Sequence, residues 1–499
     1  MTFSAARRRP VPILLPSLLL LGAAAAPAPR PSEQLTSEIL SPRSTLAMNL
    51  RVLTDEIGGR VTGSAAYERA LTWGVDAFRK AGVDSVGLEE YAIPATWEGI
   101  SAEASLVGPD RLRLRVVSFA LAPGTNGPLE APLVDGGEGR RADLEKLGSS
   151  LRGSVVLVRS KPMRSFEDLF AEYQAFPEMV RAASAGDAAA ILFTSTRPRD
   201  LLYRHTVTWG PLAPFPMAQV AREDGLRLAR LLEAGKSLRI SLDLRNRVGG
   251  AAQAKNVVAE IRGRERPEEI VLLGAHLDSW DLGTGALDNG VNCALVVEAA
   301  RAIAAVARPR RTVRFVLFTG EETGLLGSRG YVVRHRAELD RHVAVLIHDV
   351  GDGRIVGYFN SGRPELTPAL SEALAPVAAS GARGSNDEAI LGTDNFDFLL
   401  EGVPNFIADQ ETERYLADYH AESDTFDKVD LREANWNAAV AAVATWGFAE
   451  APNRPGPRLS RADVARLLEA SGLANQMRTY GLWEEWEQGK RGRALSGAR

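Results

Sequence analysis

The stretch EIVLLGAHLDSWDLGTGALDNG, residues 269–290, decides the fold. Its first half is a short apolar run with no polar alternation. Such a run reads as a strand buried on both faces. Charge is concentrated where the run ends: His276, Asp278, Asp281 and Asp288 stand among glycines. A polar turn would account for the window alone, and so would a metal site, with the glycines letting the chain turn back so that Asp288 approaches His276. The rest of the chain has to choose between them.

From residue 256 the same texture recurs. NVVAEI, EIVLLGA, TVRFVLFT, VAVLI and VPNFIA are near-continuous apolar runs. They alternate with helical patterns at 289–307, 324–336, 366–379 and 431–449. Buried strands joined by helices imply an α/β class: a three-layer α/β/α domain around a mixed, mostly parallel sheet. Residues 32–105 read as the N-terminal part of that domain, mainly helical to about 100, and 248–450 as its main part. Between them, 106–247 breaks into short β-like runs such as LRLRVVSFAL and GSVVLVRSK, with one helix at 225–235. This predicts an inserted β-rich domain. Residues 451–499 form a helical tail; Ser460 and Asp463 fit a capping box, and Gly472 fits the far end.

Composition is that of an ordinary globular protein, 45% apolar and 24% charged over 499 residues. Residues 1–28 carry three arginines, a short apolar core and an Ala-rich end, which predicts a secretory signal peptide and export to a periplasmic or extracellular compartment. No stable membrane span is expected after its removal. Losing Arg7, Arg8 and Arg9 and no acids takes the formal charge from −4 to −7. That balance argues against nucleic acid as a partner. Cys293 is the single cysteine, so an intramolecular disulfide is excluded. A homodimer is compatible with the sequence.

In open α/β sheets ligands bind beyond the carboxyl ends of strands. His276, Asp288, Glu321-Glu322 and His348-Asp349 follow apolar runs or glycine turns there, and further on DYHAESDTFDKVD carries Tyr419-His420. Each residue alone has an ordinary reading as a cap or a solvated turn. Their convergence does not, because buried carboxylates repel one another unless cations neutralise them. Carboxylate and imidazole suit zinc. His276, Asp288, Glu322, Asp349 and His420 would serve two ions if one carboxylate bridges, and a pair ~3.5–4 Å apart can hold a hydroxide and polarise a carbonyl. Glu321 is then available as a base that is not a ligand.

AHLDSW…GALDNG, FTGEETGLLGSRGY, LIHDVGDG and YHAESDTFDKVD resemble the co-catalytic two-zinc exopeptidases, a family that includes leucyl aminopeptidases and glutamate carboxypeptidase II. The resemblance is to its plasma glutamate carboxypeptidase branch, and the insert resembles a protease-associated domain. It implies that Asp288 bridges two Zn2+ per chain, that His276 and Asp349 complete one site, and that Glu322 and His420 complete the other. It makes Glu321 the general base and acid, and Asp278 the carboxylate that orients His276. It also implies a cis Asp288–Asn289 peptide, an oxyanion-stabilising Tyr419 and an Asp394 that binds a free amino terminus. His348 departs from the family pattern and is not expected to be a ligand. The implied activity is that of an exported metallo-aminopeptidase or dipeptidase acting on short peptides. A carboxypeptidase on the same core, a receptor-like relative without catalysis and a glutaminyl-cyclase-like enzyme are the alternatives.

Overall fold

The computed structural model describes residues 1–2, 29–108 and 112–494. The expected signal peptide lies, but for its first two residues, outside the described residues. Two eight-stranded sheets organise the rest. In the first, the order is Ser85–Ile93, Ala252–Ile261, Arg311–Phe318, Arg266–His276, His342–Ile347, Asn405–Gln410, Ile355–Phe359, Gly384–Asn386. Its centre is parallel: Arg266–His276 pairs in parallel with Arg311–Phe318 on one side and His342–Ile347 on the other.

Alternation along these strands builds the layers. Val271, Leu273 and Ala275 face one core with Phe315 and Leu317; Leu272, Val316 and Phe318 face the other. Helices Ala65–Ala81, Val291–Val306 and Leu431–Glu450 cover the first face. Val291–Val306 is apolar nearly all round and ends before Arg308-Pro309, where proline cannot continue a helix. Each Leu, Val or Ile it buries contributes about 1.5–3 kcal/mol, so this helix fixes the segment just before it, the Asp288 turn, against the sheet. Leu326–Arg334 and Asn395–Leu400 cover the second face.

The second sheet is built within residues 96–249. It begins ten residues earlier than the sequence suggests, because Thr96–Leu106 pairs along its length with Leu238–Gly249. The expectation that 32–100 is mainly helical is corrected here: Ser85–Ile93 and Thr96–Leu106 are strands. Both are half-exposed and acidic, so neither shows a continuous apolar run. The insert also holds a 20-residue helix, Phe166–Ala185, which the sequence reading missed because Pro177 lies inside it. The tail packs on the first domain through Val464, Leu468, Met477 and Trp486 against Phe396 and Leu400. Arg491 and Asp397 form a fully buried two-pronged ion pair there, at 2.9 and 2.7 Å.

Candidate metal centre

The carboxyl ends of three central strands deliver three of the five donors, and loops deliver Asp288 and His420. His276 closes Arg266–His276, Asp349 follows His342–Ile347, and Glu322 follows Arg311–Phe318. His276 Nε2 lies 2.8 Å from Asp349 Oδ1 and 3.1 Å from Asp288 Oδ1. His420 Nε2 lies 3.0 Å from Glu322 Oε2 and 3.3 Å from Asp288 Oδ2. The two oxygens of Asp288 thus face different imidazoles, and the five residues form two groups that share it: His276/Asp288/Asp349 and Asp288/Glu322/His420. All five are buried.

Asp288 sits on a loop without regular hydrogen bonding, so its main-chain groups need partners elsewhere. Asp424 supplies acceptors: Oδ1 takes the amides of Ala286 and Leu287 at 3.0 and 2.7 Å, and Oδ2 takes that of Asp288 at 3.1 Å. Arg60, with 0% of its surface exposed, supplies donors to the carbonyls of Leu277, Thr284 and Gly285 at 2.7, 2.8 and 3.0 Å. Gly285 has φ +60°, and a Cβ there would meet Ser279 Oγ at 2.3 Å. Gly283 lets the main chain of Ala421 and Asp424 approach; a Cβ would come within 2.5 Å of the Ala421 carbonyl oxygen. The Asp288–Asn289 peptide is cis.

Charge in the cluster is balanced with difficulty. Burial opposes the protonated His276 ring, and Asp349 and Asp288 outweigh it, holding the ring well above its usual range. His420 is likewise pushed up to about 9, against burial, by Glu322 and Asp288. Burial raises Asp288, yet the two imidazoles hold it below the ordinary carboxylate range. Glu322 is pushed up to about 7 by burial. Glu321 rises well above its usual range, through burial first and then the carboxylates of Asp349, Glu322 and Asp394. Left alone, the cluster must hold protons to offset its carboxylates. Divalent cations would replace those protons, and the donor set of two imidazoles and three carboxylates fits zinc. Glu322 Oε1, buried without a hydrogen-bond partner, is an acceptor left over for such an ion.

The remaining residues are placed as follows. Glu321 faces the cleft beside Glu322. His276 Nδ1 meets the main-chain oxygen of Asp278 at 3.0 Å, while the Asp278 carboxylate is 3.9 Å away. Residue 278 therefore orients the imidazole through its carbonyl rather than its carboxylate, which instead accepts from Thr62 Oγ1 at 3.1 Å and from the Glu321 amide at 3.3 Å. Tyr419 stacks on His420 with ring centroids 3.7 Å apart, and its hydroxyl is 3.0 Å from that of Tyr173 on the insert. Asp394 is 1% exposed, has no partner for either carboxylate oxygen, and is not among the residues lining the cleft. His348 packs, with Nε2 3.2 Å from the Tyr358 hydroxyl, and burial pushes its ring down to about 3. Sequence reasoning missed Arg60, Thr62, Arg204 and Asp424. Arg60 and Thr62 lie in GGRVTGS and Asp424 four residues after His420, but nothing in the spacing says that their side chains bind this loop.

The cleft above the donors has a volume of about 590 Å³. Phe166, Phe170 and Tyr173 of the insert helix, Trp209, Leu391 and Tyr480 of the tail give it an apolar wall. Fold and donor set together define a metal-binding α/β protein whose site lies at strand ends. Residues 256–445, the stretch that carries all five donors, match peptidase family M28. Carboxypeptidase Q of Mus musculus is 29% identical over 409 residues, covering 80% of this chain and 85% of its own. The crystal structure of a peptidase M28 precursor from Shewanella amazonensis SB2B is similar with a TM-score of 0.76 at 29% identity, over 86% of this chain and 98% of that one. BSAP, a zinc aminopeptidase from Bacillus subtilis, shares the fold at 20% identity and TM-score 0.65, over 83% of this chain and 97% of its own.

Proposed function

We propose that the chain is an exported, two-zinc exopeptidase that removes residues from the free amino end of short peptides. The charge of the cleft carries the direction. Beyond the metal donors its lining includes Glu167, Glu388 and Asp409, and among the described residues that line it none is Lys or Arg. A terminal ammonium is attracted to such a cleft. A terminal carboxylate is not, and a carboxypeptidase ordinarily meets it with a cation, best with a two-pronged arginine. A dipeptidase is the second reading: the cleft is closed on one side by the insert helix, but a dipeptide brings the same carboxylate. A receptor-like role would not require five donors and a base around one buried point.

When bound, the zinc ions would polarise the scissile carbonyl and lower the pKa of a water. His276 and Asp349 would hold one ion, Glu322 and His420 the other, with Asp288 between. Glu321, beside the ligand Glu322 and facing the cleft, takes the proton of the attacking water and gives it to the leaving nitrogen. Tyr419 offers its hydroxyl toward the developing oxyanion, positioned by Tyr173. Asp394 is buried near His276 and Asp349 and does not line the cleft; Glu388 and Asp409 do line it and are the carboxylates offered to the substrate ammonium.

The test is a peptide ladder followed by mass spectrometry, with free and N-acetylated substrates, before and after chelation. Stepwise loss from the amino end, abolished by acetylation and by EDTA and restored by zinc, is expected. Loss from the carboxyl end, or indifference to acetylation, would overturn the direction; indifference to EDTA would overturn the metal reading.

A further inference from the structure

Arg204 belongs to the insert, in the connection between strands Ala190–Thr194 and Met217–Val220, and is 5% exposed. It touches three parts of the molecule at once. Nε donates to Asp281 Oδ1 at 2.8 Å, the main-chain amide donates to the His420 carbonyl at 2.9 Å, and Nη1 donates to the Ser118 carbonyl at 2.5 Å. Its guanidinium lies over the Trp97 ring, 5.0 Å from the centroid. Asp281 stands on the loop between His276 and Asp288. We propose that Arg204 is a positioning residue for the metal centre, locking the loop that carries Asp288 to the loop that carries His420.

The neighbouring residues of the insert act on the same segment. The Leu202 carbonyl accepts from the Glu422 amide at 3.1 Å, and Arg197 Nη2 donates to the Tyr419 carbonyl at 3.4 Å. Tyr203 forms an isolated β-bridge with Ala421. His420 itself has φ +58°, a conformation that a side-chain-bearing residue keeps only when its surroundings impose it. The Arg204–Asp281 pair is partly buried, with side chains 5% and 23% exposed; a pair withdrawn from water contributes little net stability compared with apolar residues of the same size, and what it can fix is register. Here the register fixed is that of two donor loops from different parts of the chain, and the insert becomes part of the metal centre rather than an appendage to it.

The inference rests on reading the five donors as a zinc centre. The test uses the full chain with Arg204→Met, Asp281→Asn and a reference variant, His420→Ala. Zinc is titrated in competition with a chromophoric chelator, and far-UV circular dichroism reports the fold. His420→Ala shows the loss when a donor itself is removed. Arg204→Met keeps the main-chain bond to His420 but frees the loop that leads to Asp288, which both donor groups share, so both binding steps are expected to weaken about 10-fold or more, and Asp281→Asn is expected to weaken them in the same direction. Two zinc ions bound with parental affinities by a folded Arg204→Met overturn the inference. If Arg204→Met does not fold, parental affinities in Asp281→Asn overturn it. A parent that takes up no zinc overturns the zinc reading itself, and this inference with it.

Discussion

Replacing Asp424 should weaken the metal centre without touching a donor. Its carboxylate accepts three amides, those of Ala286, Leu287 and Asp288, and it is 2% exposed, so water does not stand in for it. Burial pushes the Asp424 carboxyl up to about 7; above that it is a carboxylate, a hydrogen bond to a charged group contributes about 1.5–3 kcal/mol, and a buried amide left without an acceptor costs about 1–3 kcal/mol. In Asp424→Asn the amide oxygen can keep the two bonds made by Oδ1, while the NH2 group faces the Asp288 amide, donor against donor. One bond of that class is lost, about 2 kcal/mol, and 1.4 kcal/mol is a factor of ten. If the loss falls on the placement of Asp288, zinc binding weakens about 30-fold. Asp424→Ala removes all three bonds and should weaken it by about 100-fold or more. The assay is competitive zinc titration on chelated, refilled protein, with circular dichroism to show that the sheet is intact. A folded Asp424→Ala that binds two zinc ions as tightly as the parent would refute the reasoning, because the Asp288 turn would then hold itself.

Glu321→Gln should keep its zinc by elemental analysis and lose about 10²–10⁴-fold in kcat; near-normal turnover would remove Glu321 as the base. Arg491→Ala strands the Asp397 carboxylate, which has 0% exposure, and should cost about 3–5 kcal/mol in denaturant unfolding of the tail-bearing domain. The pair Arg491→Met with Asp397→Leu should recover most of that loss. His342 is pushed down to about 3 from 6.5 by burial and then by Arg314, so the folded chain leaves it neutral where the unfolded chain protonates it. The unfolded state then binds more protons, and its contribution to stability is full above pH 6.5 and is lost as pH falls toward 3. At about 1.4 kcal/mol per pH unit, the parent should lose ~2 kcal/mol more than His342→Gln between pH 7 and 5; parallel unfolding curves would contradict this.

How much of this was legible follows from where each signal lives. Arg266–His276 and Arg311–Phe318 are buried on both faces, so their apolar runs stand out in the sequence. Ser85–Ile93 lies at a sheet edge with Leu88 and Glu90 exposed and Glu89 half-buried, and its pattern is indistinct. Phe166–Ala185 is interrupted by Pro177, which hid the helix that brings Phe166, Phe170 and Tyr173 to the cleft. His276, Glu322 and Asp349 were legible as a group because strand ends deliver them side by side. Asp278 shows the limit: its place beside His276 could be read, but not that the carbonyl rather than the carboxylate makes the contact. Arg60, Asp424 and Arg204 act largely on main-chain atoms of distant segments, and no residue spacing encodes such a target.

The placement of those three residues explains why the centre needs its surroundings. A loop that must present Asp288 to two imidazoles cannot satisfy its own amides and carbonyls as a strand or helix would. Water is the usual substitute, but water among the donors would compete for the ions. Arg60 takes the carbonyls at 277, 284 and 285 and Asp424 takes the amides at 286–288, so one buried charge of each sign replaces the missing ladder. Burial lowers the Arg60 guanidinium below its ordinary range, and the nearby Asp424, Asp278 and Asp288 offset part of that cost. Either charge alone would be costly to bury. Together they leave both oxygens of Asp288 free of main-chain duties, facing His276 and His420, which a bridging donor requires.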